Sequence, residues 1–402
     1  MAEVENKTEN KKILVVGIGG AAQSIIEKIN TYGLKDLKTF FIDSDADAVS
    51  GSTAEEKICI SSRLVKGLGS DTISVTGNPE LAGVLKSFVE SLPKCEIVFT
   101  VSGLGGSAGT VITPLLLHLL KEKLYWVWSL NTVPFFFEGK PKIINSLKQI
   151  RSIQNSANLV FIIPHDKIFK MGDKELSMKD AFSPAGGLCV DLITNVCALT
   201  CSNVKGQNIN IKFSDIKDRL SNKRSSGLGI GGGTGESRVG NAMERAVLGP
   251  LLGKETLLSA ERIIVNISGN DDLRLEEINK GMEILYTYIP KDKNVVFGVT
   301  IDNKLKDMLK VAIIALGTDT SSPADDWAMS LPAESGIRGG IRSQGTDTNN
   351  KSKLGKQGQK PQQTMIDFKK MSRTQKGCFE TSEATVFGGE DLDIPTFLRK
   401  KR

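Results

Sequence analysis

Ser102-Gly-Leu-Gly-Gly-Ser-Ala-Gly-Thr110 follows a strand-length run, Glu96 to Val101, and precedes a helical pattern that starts near Val111. Four glycines in the seven residues 103–109 are more than a plain strand-to-helix turn needs. Backbone without Cβ atoms can approach an anion closely, and the helix that follows offers free N–H groups and the positive end of its dipole. A second loop of this kind lies upstream. Gly17-Ile-Gly-Gly20-Ala-Ala-Gln-Ser24 follows the apolar run Ile13 to Val16 and leads into helical spacing from Ala22 to Tyr32. One such loop suits a Rossmann-type dinucleotide oxidoreductase, with Asp43 as the ribose-binding acid at the end of the second strand. Two such loops suit a di- or triphosphate gripped from two sides, which a dehydrogenase does not need.

Outward from these loops the pattern alternates. Thr39 to Ile42, Leu124 to Leu130 and Leu159 to Ile163 are further apolar runs of strand length, mostly separated by helical segments. This predicts an α/β fold over 11–202, a parallel sheet covered by helices on both faces. A smaller α+β unit is expected over 203–317. Its strand candidates are Arg262 to Ile267, Asn294 to Val299 and Leu309 to Leu316, with a helix from Leu273 to Tyr288 and room for a short helix from Asp302. Gly229-Ile-Gly-Gly-Gly-Thr-Gly235 follows no strong strand, and Glu236 sets an anion where a phosphate would sit, so it reads as a mobile connection. Residues 1–10 read as a disordered arm. From 318 to 387 Ser, Thr, Gly, Gln, Lys and Asp dominate, a composition that cannot bury enough surface to offset its ordering entropy, so a disordered linker is expected. The chain closes on a peptide, 388–402, that ends Asp391-Leu-Asp-Ile-Pro-Thr-Phe-Leu-Arg-Lys-Lys-Arg402 and suits a partner's groove.

Composition narrows the function classes. With 402 residues, 40% hydrophobic and 24% charged, the chain has material for a sizeable core. Its net charge of +6 is spread along the sequence rather than gathered on one element, which argues against a nucleic-acid binder. The polar start is no signal peptide, and no run reaches the roughly 18 apolar residues of a bilayer span. Six cysteines without a CxxC pair fit a reducing cytosol. The two histidines, His118 and His165, are too few for a zinc site or a Ser-His-Asp triad; His118, inside Leu-Leu-Leu-His-Leu-Leu, is expected in the core.

The order of motifs resembles the FtsZ family, bacterial relatives of tubulin, over roughly residues 12 to 317 and the last dozen. The two glycine loops resemble the family's first phosphate loop and its signature loop. Phe41-Ile-Asp-Ser-Asp-Ala46 resembles the second loop, and Lys66-Gly-Leu-Gly69 with Gly77-Asn-Pro-Glu80 the third. Pro134-Phe-Phe-Phe-Glu-Gly139 is similar to the segment whose Glu holds the ribose. Ile163-Pro-His-Asp-Lys167 and Asp180-Ala-Phe182 match the approach to a central helix, and Asn210 to Asp215 the loop that completes a neighbouring subunit's active site. Asn266 to Gly269 and Asp272 to Glu276 match the second domain. Asp391 to Leu398 resembles the C-terminal peptide that docks on membrane-tethering division adaptors.

The resemblance implies a GTP/GDP site, with or without Mg2+, on Gly19, Gly20, Ala21, Ala22, Gln23, Ser24, Gly103, Gly105, Gly106, Ser107, Ala108, Gly109, Thr110, Glu138, Lys142 and Gly187. Departures from the family pattern bear on its chemistry. Ser107 and Ala108 interrupt the signature glycines, Ala22 and Ser24 replace a Gly and an Asn, and Lys142 stands for an Arg. Gly186 and Gly187 occupy the places of the base-reading Asn-Asp pair, and His165 that of an Asn. Of the two catalytic acids, Asp215 is kept and the other is Lys212. The expectation is a cytoplasmic, FtsZ-like cell-division protein at the division site that binds guanine nucleotide, polymerises head to tail and hydrolyses GTP weakly at the subunit interface. It would reach a membrane-tethering adaptor through Asp391 to Arg402. The alternatives are a non-hydrolysing structural paralogue that joins filaments or holds adaptors and, more remotely, a Rossmann-type oxidoreductase.

Overall fold

A computed structural model describes residues 12–65, 78–169, 177, 180–200, 209, 211–217, 220, 225–318 and 327, with the backbone of 386–387 and 390–391. The chain divides into two compact units, Met1–Thr346 and Asp347–Arg402. The first unit begins with β1 (Ile13–Ile18), α1 (Gly20–Thr31), β2 (Leu37–Asp43), α2 (Ala46–Gly51), β3 (Glu56–Cys59), α3 (Pro79–Ser91), β4 (Ile97–Gly103) and α4 (Ser107–Glu122). It continues with β5 (Val127–Val133), α5 (Lys140–Ser156), β6 (Leu159–Pro164), α6 (His165–Phe169), the long α7 (Ser183–Thr200) and the short α8 (Phe213–Lys217). Then come β7 (Ser225–Gly233), α9 (Arg238–Val247), α10 (Gly253–Ser259), β8 (Arg262–Gly269), α11 (Leu275–Tyr288), β9 (Val295–Ile301) and β10 (Leu309–Thr318). In the second unit, β11 (Val386–Phe387) and β12 (Glu390–Asp391) pair antiparallel, across the expected boundary between linker and terminal peptide.

Among the described residues ten strands form one sheet, in the order β3-β2-β1-β4-β5-β6-β7-β10-β8-β9. Its first six strands are parallel, as their buried, unbroken apolar runs demand: Ile13–Ile18 is buried at every position. The two units expected over 11–202 and 203–317 share this sheet. They meet where β7 joins β6 through the pair Val160↔Ser225. Beyond that seam β10 runs antiparallel to both β7 and β8.

Apolar clusters cover both faces. Leu81 and Phe88 of α3, Leu116 of α4 and Ile150 of α5 pack on one, and Ile26 of α1 with Ile193 of α7 on the other. A third cluster joins Met243 of α9 and Leu285 of α11 to β8 and β10. A buried polar link ties α7 to the far half of the sheet: Asn266 Nδ2 donates to Asn195 Oδ1 at 2.7 Å, and Asn266 Oδ1 accepts from Thr300 at 3.1 Å. Local chemistry sets the helix starts. Asn78 Oδ1 accepts from Leu81 N–H at 3.1 Å, and Pro79 takes the first helical position of α3.

Several expectations are corrected. Gly229 to Gly235 is not a mobile connection, since Ser225–Gly233 is the strand β7. Its glycines serve packing: a Cβ on Gly229, Gly231 or Gly233 would collide with a carbonyl oxygen of Ala246, Ala242 or Arg238. His118 is not in the core. It occupies an exposed position of the otherwise largely buried α4, 3.3 Å from Glu122. The strand expected at Leu124 starts at Val127, because Leu124 turns the chain at the end of α4 with φ 60° and lies 90% exposed. Within the stretch read as linker, Thr318 ends β10 and Trp327 is buried against the cluster of α3, α4 and α5. A large aromatic can find a core pocket even where the surrounding composition is polar.

Candidate functional site

Both glycine loops stand at the carboxyl ends of neighbouring strands, β1 and β4, where the sheet order reverses direction and open α/β sheets place their ligands. They line one cavity of about 420 Å³, a size suited to a small organic ligand. The first loop is pinned where Gly19 N–H donates to Ile42 O at 2.9 Å. Gly19 and Gly105 hold φ of 77° and 89°, which a residue with a Cβ adopts only under strain. At Gly105 space is tight as well, because a Cβ would lie 3.0 Å from Ser146 Oγ.

The first turns of α1 and α4 face this cavity, and neither start carries a side-chain cap. No side chain caps their first N–H groups, although Ala22 N–H donates to Gly19 O at 2.9 Å, and both dipoles favour an anion there. A Cβ placed on Gly20 or Gly106 would meet nothing within 4 Å, so open space lies beside each helix start. A polyphosphate fits this cradle. The nearby carboxylates hold local donors, Asp43 and Asp45 through Oδ1. Asp43 accepts from the backbone of Ser44 at 2.6 Å, and Asp45 from that of Asp47 at 3.0 Å. Glu138 accepts from Phe135 N–H at 2.9 Å and pairs with Lys142 at 3.0 Å, which leaves Lys142 as the cation among the lining residues. Among the described residues no group of three or more His, Cys, Asp or Glu is placed to hold a metal ion.

Of the residues named from the sequence, the structure brings Gly19, Gly20, Ala21, Gly103, Gly105, Gly106, Ser107, Ala108, Gly109, Glu138 and Lys142 around this cavity. The others do not line it. Ala22 is buried in the core, Gln23 donates to Glu27 at 3.3 Å, Ser24 is exposed, and the Thr110 hydroxyl bonds to Gly106 O within α4. Gly187 lines a different hollow, with Lys28, Tyr32 and Asp191. Asp45, within the segment that resembles the second loop, and Thr132, which carries no motif that marks it, also border the cavity. The expected third loop lies mostly at 66–77, outside the described residues, as does most of the terminal peptide.

An aromatic group forms one side of the cavity. His165 and Phe182 line it, and Phe135 stacks on His165 at 4.9 Å. Burial pushes the His165 imidazole down to about 4, against the opposing pull of Glu138, so the ring is neutral at pH 7.

Asp215 and Lys212 lie elsewhere. Lys217 of α8 reaches Glu96 at 3.4 Å and sits 5.1 Å over the Trp126 ring, and those residues precede β4 and β5. Their element is thus at the amino ends of the strands, with the seven residues of β4 between it and the glycine loops, about 20 Å. Both are exposed, and Asp215 Oδ2 accepts from the Lys212 backbone N–H at 3.3 Å.

Comparison with known proteins bears on the family and the fold. The model of the tubulin/FtsZ family GTPase domain matches residues 12–173, and that of the FtsZ family C-terminal domain matches 225–319. The empty FtsZ dimer of M. jannaschii is similar at 26% identity and a TM-score of 0.68, over 78% of this chain and 90% of that one. CetZ2 from Haloferax volcanii, solved as a GTPgS-bound protofilament, shares the fold at 17% identity and a TM-score of 0.64, over 83% of this chain and 100% of its own. CetZ1 from the same organism, a GDP-bound monomer, does so at 18% identity and a TM-score of 0.62, over 82% and 99%.

Proposed function

The chain belongs to the tubulin/FtsZ family, and on that footing we propose that it binds a guanine nucleotide, stacks copies of itself head to tail and turns GTP over slowly or not at all. The observation that carries this reading is the separation of the two glycine loops from Asp215. One chain holds a polyphosphate cradle at the carboxyl ends of its strands and a retained acid at their amino ends. The two meet only when a second copy stacks on the first, and a heterologous contact of that kind propagates into a filament.

In the bound state the N–H groups of Gly20, Ala21, Ser107 and Ala108 would hold the phosphates, with Lys142 as the nearby charge and Phe182 against the base. Any Mg2+ would arrive with the phosphates, since the described residues gather no group of three or more metal-ligating side chains. GTP supplies the binding energy that depends on both copies. Lys212 and Asp215 favour the non-hydrolysing alternative. Water activation wants acids free to orient it, whereas here Asp215 turns back onto its own helix start and its partner position carries a cation. The terminal peptide from Asp391 to Arg402 would tether such filaments to a membrane-bound adaptor at the division site. No helix among the described residues is long and apolar enough to cross a membrane.

Light scattering and phosphate release, recorded together after GTP is added to the purified protein, test the proposal. The expected result is scattering that rises with protein concentration and persists while little phosphate appears. A folded protein that binds neither GTP nor GDP overturns it.

A further inference from the structure

Lys212 is an exposed residue just before α8. Its backbone N–H donates to Asp215 Oδ2 at 3.3 Å, and Asp215 Oδ1 lies 3.4 Å from Ser214 Oγ, so the acid of this segment is turned onto its own chain. The Lys212 ammonium has no hydrogen bond or ion pair among the described residues. The cavity at the other ends of the strands has the opposite character. Asp43, Asp45 and Glu138 line it, and among the described residues Lys142 is the one cation there, paired with Glu138 at 3.0 Å. Asp43 and Asp45 use Oδ1 for local donors and keep Oδ2. His165, held neutral at pH 7 by burial, adds no charge.

A polyphosphate brings further negative charge to a lining that already carries an excess. The starts of α1 and α4 answer it only with partial charges. Closing a second copy over the cavity removes water from these anions, and a charge left unmatched in such a place is strongly destabilising. The face that closes the cavity therefore has to bring a cation. Resting on the nucleotide and stacking reading above, we propose that Lys212 of one copy supplies it: its ammonium reaches the phosphates bound by the next copy and holds them as a salt link across the contact. A compact ammonium on a flexible stem can meet phosphate oxygens without a fixed fork, and hydrogen bonds between ionised partners are the strong ones. An acid at this position would help to orient water. The lysine instead makes an intact triphosphate part of the joint, so nucleotide binding and stacking strengthen each other by the same factor.

A pair of chains that can stack in only one order tests this. Lys212→Gln keeps the cradle and lacks the ammonium. Gly20→Glu puts a carboxylate in the open space beside α1, so it loses the cradle and keeps Lys212. Both positions are exposed, and circular dichroism verifies that each chain folds. The GTP affinity of dilute Lys212→Gln chain is measured by equilibrium dialysis while Gly20→Glu chain is added to saturation. The affinity should tighten by about tenfold. A Gly20→Glu chain that also carries Lys212→Gln should tighten it by less than about threefold, and one that carries Lys212→Arg should restore most of the gain. Read at saturation, the affinity reports contact with the nucleotide rather than the strength of stacking. Equal tightening with and without the ammonium makes Lys212 a solvated bystander and overturns the inference while the stacking stands. No tightening by any added chain overturns the stacking and this inference with it, and leaves nucleotide binding in place. If the folded native and Lys212→Gln chains both bind no GTP, the nucleotide reading itself falls.

Discussion

A Cβ on Gly231 would run into the carbonyl oxygen of Ala242, while one on Gly20 would meet nothing within 4 Å. The same residue type thus serves two ends, and substitution separates them. Gly231→Ala forces β7 and α9 apart and is expected to lower stability by about 3 kcal/mol, read from a urea denaturation midpoint. Gly20→Ala should leave stability within about 0.5 kcal/mol and reduce nucleotide affinity about tenfold by narrowing the approach to the α1 start. Equal effects of the two on stability would refute this division. From sequence, the two phosphate loops were legible because each follows an apolar run and precedes a helical pattern. The glycines of β7 were not. Glycine lowers strand propensity wherever it occurs, and the reason for tolerating it here is the backbone of α9, which packs on these glycines from further along the chain.

Arg238 shows what holds elements rather than loops together. Its guanidinium, with 10% of the side chain exposed, reaches Glu277 at 2.7 Å and Asp272 at 2.7 Å, and so clamps the start of α9 to the start of α11. Hydrogen bonds from Arg238 hold both carboxyls below their ordinary range. Groups whose folded-state titration is depressed contribute stability above their unfolded values, near 4, and that contribution is lost as pH falls through the folded ones. The thermal midpoint should therefore fall more steeply with acidification below pH 5 in the native chain than in Arg238→Met, which is the less stable of the two at pH 7. Parallel pH profiles would show that the clamp contributes nothing. Periodicity located α11 well, but it could not reveal this pairing, whose partners lie 34 and 39 residues apart. His118 failed for a related reason. An apolar neighbourhood in sequence says little about one position of a helix that faces water, and there His118 meets Glu122 one turn on.

At the scale of the whole molecule, head-to-tail stacking predicts asymmetric poisoning. Gly20→Glu adds a carboxylate in the open space of the cradle without a steric clash at its Cβ, so it blocks the phosphates while the end that carries Asp215 stays intact. Such a chain can join a filament at one end and accept no further copy. Small fractions of it, well below one per native chain, should shorten filaments seen by electron microscopy. Inhibition no greater than simple dilution would count against the stacking. The sequence by itself determined the alternation of strands and helices, the two anion loops and the kinship with the tubulin/FtsZ family, because these rest on apolar periodicity and on runs of adjacent residues. Only the tertiary structure decided that one sheet runs through both halves of the main unit, that Ala22, Ser24 and Gly187 do not line the cavity, and that Asp215 stands at the opposite ends of the strands. Those facts depend on which strand pairs with which and on where each helix turns its face, and such pairings are fixed by packing between segments far apart in the chain.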